Sequence, residues 1–379
     1  PSLVARRSSL AGNLLIPDRD DIFFFPHEVA EYQRTVTFDL GSSSSVGSGG
    51  MIIGNESISL GAFSHRSDFL GAIANAFFTE GDIDNVDDAG SNMFPTPFGP
   101  LFETGPDDGA LQWFDFVLGW SYRDMPLGLR VSLGRNEDDP VDPDAQKDVT
   151  TVNAVLGLGL NDIDLSAEIS FAQAETQDSA MVREAKPTSF AFGARSVPSG
   201  EGEDLSFGWV GVFSFANGGF EARPEGGTFE ETNVHQLAVA LGAGPVYRPH
   251  DRTVVAMYGT FEWMRSETEQ PSGDEVTMNR FVVPGWHIAA EIEASSWLQV
   301  RAGMRSRLFL NDTENKPVGG EVTQEESISL DFRWTAGVGI ELGELQIDGF
   351  LDPAVITSGS DLFGDSSQVF GLVTASYAF

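Results

Sequence analysis

Residues 327–342 read Ser-Ile-Ser-Leu-Asp-Phe-Arg-Trp-Thr-Ala-Gly-Val-Gly-Ile-Glu-Leu. Ile328, Leu330, Phe332, Trp334, Ala336, Val338, Ile340 and Leu342 fall on one face, and Ser327, Ser329, Asp331, Arg333, Thr335, Gly337, Gly339 and Glu341 on the other. A period of two is the β-strand period. A strand this long, apolar on one side and polar on the other, exceeds the usual length in a soluble sheet, about 5–6 residues. It suits a tilted transmembrane barrel strand, which needs about 9–11 residues to cross the bilayer. The chain ends at Tyr377-Ala378-Phe379 on another alternating stretch.

The pattern recurs. Phe114, Phe116, Leu118, Trp120 and Tyr122 share one face, as do Leu127, Leu129, Val131 and Leu133, opposite Arg130. Ile163, Leu165, Ala167, Ile169 and Phe171 return after an Asn161-Asp162 turn, with Asp164, Ser166 and Glu168 on the inner face. Further strands are expected within 51–64, 152–160, 189–195, 205–215, 234–247, 253–265, 275–292, 297–310, 345–352 and 368–379. Short links at 123–126, 161–162, 248–252, 294–296 and 343–344 alternate with long ones at 66–109, 136–148, 175–186, 266–274, 311–326 and 353–367. Such alternation, with short periplasmic turns and long extracellular loops, marks an outer-membrane barrel. The fold expected is all-β: a transmembrane antiparallel β-barrel of about 14 strands counted from Met51. The count becomes 16 if 34–41 is a strand and another segment splits. Aromatics at Phe261, Trp263, Trp286, Trp297 and Tyr377 are expected at the membrane interfaces. A soluble β-sandwich, the rival fold, needs shorter strands and apolar faces that meet.

Composition agrees. Mean hydropathy is −0.11 and no apolar run approaches the length of a transmembrane helix, as expected where lipid-facing and lumen-facing residues cancel. There is no Cys, which excludes disulfide staples and thiolate metal sites. The first residue is Pro1, from which loss of a secretory signal is expected. Net charge is −35, which disfavours a nucleic-acid partner. The acidity is read either as solvated loops or as divalent-cation binding. The stretch holding Asp82, Asp84 and Asp87 resembles a calcium loop only loosely, because Val86 stands where a ligand belongs. It gives weak Ca2+ candidates and otherwise no cofactor. No G-x-S-x-G elbow, H-E-x-x-H pair or phosphate-binding glycine loop is present, so no enzyme is expected.

Residues 1–33 differ from the rest. A short helix near Arg6 and Arg7, a turn at 16–21, an apolar run broken by Pro26 and a helical turn from His27 are expected there. The segment is read as an N-terminal plug or hatch, or alternatively as an external tail, with the barrel at 34–379. Inside the barrel, Arg301, Arg305 and Arg307 form a ladder on one wall. His287, Glu291, Asp331 and Arg333 on flanking strands share that lumen, as do Arg130 and Glu168. Arg280 has the wrong parity and joins them only if a bulge near Pro284 shifts the register. This set either tunes ion selectivity or pairs across strands. It could also hold the plug through Asp18, Asp20 and Asp21.

The layout Leu10-Ala11-Gly12-Asn13 followed by Asp20-Asp21 and Phe25-Pro26-His27-Glu28 resembles the hatch region of the FadL-type outer-membrane transporters. Phe25 replaces their Asn before Pro26, and His27-Glu28 replaces their small residues. The resemblance implies a 14-stranded barrel whose hatch includes Asn13, Arg19, Asp20, Asp21, Pro26, His27 and Glu28. It implies passive, hatch-gated passage of small hydrophobic or amphipathic solutes. A general porin and a non-conducting barrel that anchors a surface assembly are the alternatives. Phe379 resembles the C-terminal signal read by the barrel-assembly machinery. The other partners expected are outer-membrane lipid and lipopolysaccharide, with a homo-oligomer or a partner protein also admitted.

Overall fold

The computed structural model describes residues 4–41, 48–55, 57–64, 112–123, 125–138, 146–177, 181–197, 204–224, 230–250, 252–351 and 370–379. The calcium candidates Asp82, Asp84 and Asp87 and the whole 66–109 link lie outside them.

Seventeen strand segments form one closed antiparallel sheet. They are β1 (Thr35–Gly41), β2 (Ser48–Asn55), β3 (Ile58–Ser64), β4 (Gln112–Tyr122), β5 (Met125–Asp138), β6 (Gln146–Leu160), β7 (Ile163–Gln177) and β8 (Met181–Ala185). Then come β9 (Thr188–Ser196), β10 (Leu205–Pro224), β11 (Glu230–His250), β12 (Thr253–Glu269) and β13 (Glu275–Ser295). The last four are β14 (Leu298–Lys316), β15 (Thr323–Leu342), β16 (Leu345–Leu351) and β17 (Phe370–Ala378). Segments β8 and β9 both pair with β7 on one side and β10 on the other, so they share one place in the wall. The wall therefore has sixteen strands, and β1 pairs with both β2 and β17 to close it.

The fourteen strands of the first count, and of the FadL resemblance, are corrected to sixteen for two reasons. Residues 35–41 are a strand, and 51–64 is a hairpin. At Asn55 the side-chain oxygen accepts the N–H groups of Ser57 and Ile58, closing the turn between the two short strands. Met51 and Ile53 before the turn and Ile58 and Leu60 after it all stay on the outer face. Of the links read as loops, 266–274 is strand as far as Glu269, and 311–326 is mostly strand, β14 and β15 flanking a short turn at 317–322.

The turns at 161–162, 296–297 and 343–344 fall at one end, and those at 270–274 and 317–322 at the other. Asn161 and Gly343 take positive φ of 55° and 67° in two-residue turns, the geometry that matches strand twist. The outer face is apolar, with Phe114, Phe116, Leu156, Phe171, Phe192, Phe213, Leu241 and Phe261 exposed. Tyr122, Tyr247, Trp297, Tyr377 and Phe379 are exposed near the short-turn end and form a girdle there. Trp286 instead lies mid-strand in β13. Residues 323–330 of β15 are exposed on both faces, so this part of the strand projects beyond the wall.

Helix α1 (Val4–Ser9) and two 3-10 turns, Arg19–Phe23 and Pro26–Glu31, precede β1. They lie inside the wall. Ala5, Leu10, Leu14, Leu15, Ile16, Ile22, Phe23, Phe25 and Val29 are buried there. Leu10, Leu14, Leu15, Phe24 and Phe25 pack against Ala191, Val210, Ala240, Ala256, Tyr258 and Ala289. Ile22, Phe23 and Val29 pack against Ile52, Phe63 and Val117, with Phe23 and Phe63 edge to face at 5.2 Å. Each such side chain contributes about 1.5–3 kcal/mol on burial. The wall makes room by facing small residues inward. A Cβ on Gly128 would sit 2.1 Å from the His27 backbone nitrogen, and one on Gly303 would sit 2.5 Å from that of Ala11.

Candidate functional site: the charged lumen

The residues singled out in the sequence face the lumen, but they divide into separate groups. The first joins the N-terminal segment to the wall. Arg195, on the inner face of β9, is fully buried. Its Nη1 donates to Asp21 at 2.7 Å and its Nε to Asp164 at 2.9 Å, while Nη2 donates to Glu28. His27 Nε2 lies 2.9 Å from the other Asp164 oxygen. Arg7 donates to the second oxygen of Asp21. Pro26 opens the turn that carries His27 and Glu28, a position where its missing N–H costs nothing. Ligand atoms of His27, Glu28 and Asp164, one from each, lie within 4.8 Å of one another, a spacing that suits a metal ion. The Arg195 guanidinium already bonds both carboxylates, which leaves a cation little reason to bind.

The second group surrounds Glu291. Arg6 grips its two oxygens with Nε and Nη2, both at 2.9 Å, and Arg301 donates to it at 2.5 Å. Arg301 also reaches Asp348 at 2.5 Å, and Arg6 pairs with Asp18 at 3.1 Å. Asp18, Asp20 and Asp21 are met by Arg6, Arg7 and Arg195. Two of those three cations belong to the segment itself. Nearby, Asn13 turns its side chain to the Leu15 N–H at 2.9 Å and Arg19 reaches Gln346 at 3.3 Å.

The third group is on the opposite side. Arg130 donates to the Phe23 carbonyl and, at 2.6 Å, to Asn153, which in turn donates to Glu168. Asp115 lies 3.7 Å from Arg130.

The fourth group lies one to two inward positions beyond Gly303, toward the long loops. Arg305 stands directly opposite His287 on β13 and Arg333 on β15. Arg307 stands opposite Asp331, whose Oδ2 accepts from Arg305 at 3.2 Å and Arg307 at 3.1 Å. Glu262 approaches Arg307 at 3.9 Å. His287 stacks on Tyr258 with centroids 4.7 Å apart. Arg280 does turn inward: the register shifts between Val282 and Gly285, bracketing Pro284, and Arg280 comes opposite the inward Asn311 with a 3.1 Å bond.

Sequence reasoning missed Arg195, Arg6, Arg7, Glu262 and Asp348 as site residues. Their parity was readable: Phe190 and Phe192 are outward, which turns Ala191, Gly193 and Arg195 inward. What no pattern conveys is which inward residues the N-terminal segment meets.

No family model matches the chain, and no curated protein matches it. Solved structures do. The ferric yersiniabactin uptake receptor FyuA from Yersinia pestis is similar at 11% identity over 64% of this chain and 44% of that one, with a TM-score of 0.39. The alcaligin receptor FauA from Bordetella pertussis is similar at 6% identity over 83% and 59%, TM-score 0.38. The ferric citrate transporter FecA is similar at 9% identity over 83% and 64%, TM-score 0.36. The chain thus spans from under half to just under two-thirds of these proteins' lengths. The class is defined by the chain's own wall. A closed barrel of even strand number, with an apolar outer face, an aromatic girdle and a charged interior, is an outer-membrane β-barrel protein. No helix of the described residues is long and apolar enough to cross a membrane.

Proposed function

We propose that the chain is a transport barrel of the outer membrane, closed at rest by residues 4–33 acting as a plug. The observation that carries this is the Arg195 junction, in which one wall guanidinium holds Asp21 and Glu28 of the segment together with Asp164 of the wall. A buried ionic contact is a poor way to glue a permanent core, since apolar replacements are often as stable or better. It suits a contact that opens when water or a competing charge reaches it. A sixteen-stranded wall without its plug is wide enough for an aqueous channel. The passage of hydrophobic solutes implied by the FadL resemblance finds little support in a lumen lined by Arg280, Arg305, Arg307, Asp331 and Arg333. Polar or charged solutes fit it better.

The non-conducting scaffold is the second reading. The apolar packing of Leu10, Leu14, Leu15 and Phe25 against the wall favours it, because such contacts resist displacement.

Liposome swelling separates the two. Proteoliposomes of the full chain are expected to exclude small sugars, and those of a chain lacking residues 1–33 to admit them. Heat-modifiable migration on gels confirms that the shortened wall is folded. A folded, shortened barrel that still excludes the sugars would overturn the transport reading.

A further inference from the structure

We propose that the open edge of β15 from Thr323 to Phe332 is a docking site for an extended, basic segment of a partner protein, added as one further strand where β15 projects beyond the wall. The proposal goes beyond the transport reading and does not rest on it.

The ladder defines the edge. β15 pairs with β14 without a register break from Thr323 to Ile340. Its pairing with β16 begins only at Ala336, opposite Leu351. Among the described residues, Thr323–Phe332 therefore has a sheet neighbour on one side only. Burial agrees: residues 311–316 of β14, flanked by β13 and β15, are half-buried, whereas 323–330 of β15 are exposed. Alternate residues of an antiparallel strand turn their N–H and C=O the same way, so this stretch offers about five donors and five acceptors to a further strand. Natural sheets guard such an edge with Lys, Pro, a bulge or a very short strand. Residues 323–332 read Thr-Gln-Glu-Glu-Ser-Ile-Ser-Leu-Asp-Phe, without Lys or Pro, and their register has no bulge.

The guard that is present has a sign. Residues 311–326, at the tip of the β14–β15 hairpin, hold Asp312, Glu314, Glu321, Glu325 and Glu326 against one base, Lys316. That base already pairs with Glu275 and Glu314. Asp312 and Glu326 stand directly opposite each other on the two strands, a repulsive placement. A second copy of this chain, with net charge −35, would bring its own acids to the same edge and is disfavoured. A strand that sets Lys or Arg beside Glu325 and Glu326 relieves the repulsion instead. Further along, Ile328 and Leu330 are 73% and 66% exposed on the outer face. Apolar residues at alternate positions of the added strand would pack on them. Backbone pairing supplies the affinity, and the charged and apolar positions choose the partner.

The test is fluorescence anisotropy of a labelled peptide, Val-Thr-Val-Thr-Val-Thr-Lys-Lys-Thr-Thr, titrated with the purified full chain in detergent at low salt. Running antiparallel to β15, the peptide sets its Val beside Ile328, Leu330 and Phe332 and its Lys beside Glu325 and Glu326. Saturable binding is expected. Two further peptides carry N-methyl groups on alternate residues, one on the odd positions and one on the even. Only one of these series turns its methyl groups toward β15, so one should lose binding and the other keep it. The double variant Glu325→Gln, Glu326→Gln should weaken the parent peptide about threefold or more at low salt. Glu344→Gln, at the other end of the wall, should change nothing. Absence of saturable binding overturns the site. Equal binding, or equal loss, by the two methylated series overturns the edge pairing and leaves ionic attraction only. Undiminished binding to the folded double variant overturns the basic character of the partner. Concentration-dependent dimers that the peptide dissolves would assign the edge to a second copy and overturn it too.

Discussion

Arg195 concentrates the residue-scale argument, because three acids from two parts of the chain depend on it. Replacing it by Met leaves Glu28 buried without its cation, Asp21 with Arg7 alone and Asp164 with the His27 hydrogen bond alone, a loss of about 3–5 kcal/mol for a broken buried pair. The expected result is tryptic cleavage after Arg6, Arg7 or Arg19 in folded Arg195→Met barrels, where the parent resists. Adding Glu28→Gln should recover part of that resistance, since it removes one stranded charge. Resistance equal to the parent's would mean that apolar packing alone holds the segment. The steric counterpart is Gly303→Val. Its added carbons meet backbone atoms of Leu10 and Ala11, which cannot rotate away as a side chain would. Trypsin sensitivity should rise without any change of charge, while the wall keeps its heat-modifiable migration. This was partly legible in the sequence. The inward parity of Gly303 and the Arg ladder followed from alternation, but the contact with residues 10–11 joins positions nearly 300 residues apart and leaves no local trace.

The strands show what alternation encodes and what it hides. It located the membrane-facing side of nearly every long element, because a one-residue slip would turn all its apolar side chains inward. Leu241, near the middle of β11, is exposed on that side. Leu241→Arg should destabilise the barrel by about 2–4 kcal/mol, measured by urea titration in lipid vesicles. A change below half a unit would place that position outside the bilayer. The hairpin at Asn55 is missed although the outward residues change there from odd (Met51, Ile53) to even (Ile58, Leu60), because both halves are too short to read as separate strands. Alternation misled where the strands outgrow the wall, since Ile328 and Leu330 sit in the projecting stretch of β15. Near that projection, Asp274 accepts the Val318 N–H at 2.6 Å and a bond from the Ser272 hydroxyl, and these hold its carboxyl below the usual range. A lowered carboxyl contributes while ionised. The link between the β12–β13 and β14–β15 turns is therefore expected at pH 7 and lost as pH falls below about 4. Amide exchange at Val318 should quicken relative to its neighbours over that range, and in Asp274→Asn at pH 7. Identical protection in both forms would remove the carboxylate's role.

At the scale of the molecule, a wall with an outward apolar band encloses a segment held by ions and apolar side chains together. The wall was legible because lipid, water and the pleat impose one repeating rule on every strand. The segment's place was only suggested by its different composition, because its packing follows from which small residues happen to face it. On the transport reading proposed above, residues 4–33 inside the sixteen-stranded wall are what stands in the way of passage. Single-channel recording in a planar bilayer tests this most directly, comparing the full chain with one lacking residues 1–33. The account predicts a silent or rarely opening full chain and stable, large conductance steps after the deletion. Equal conductance in the two, or a folded truncated barrel that stays silent, would contradict it.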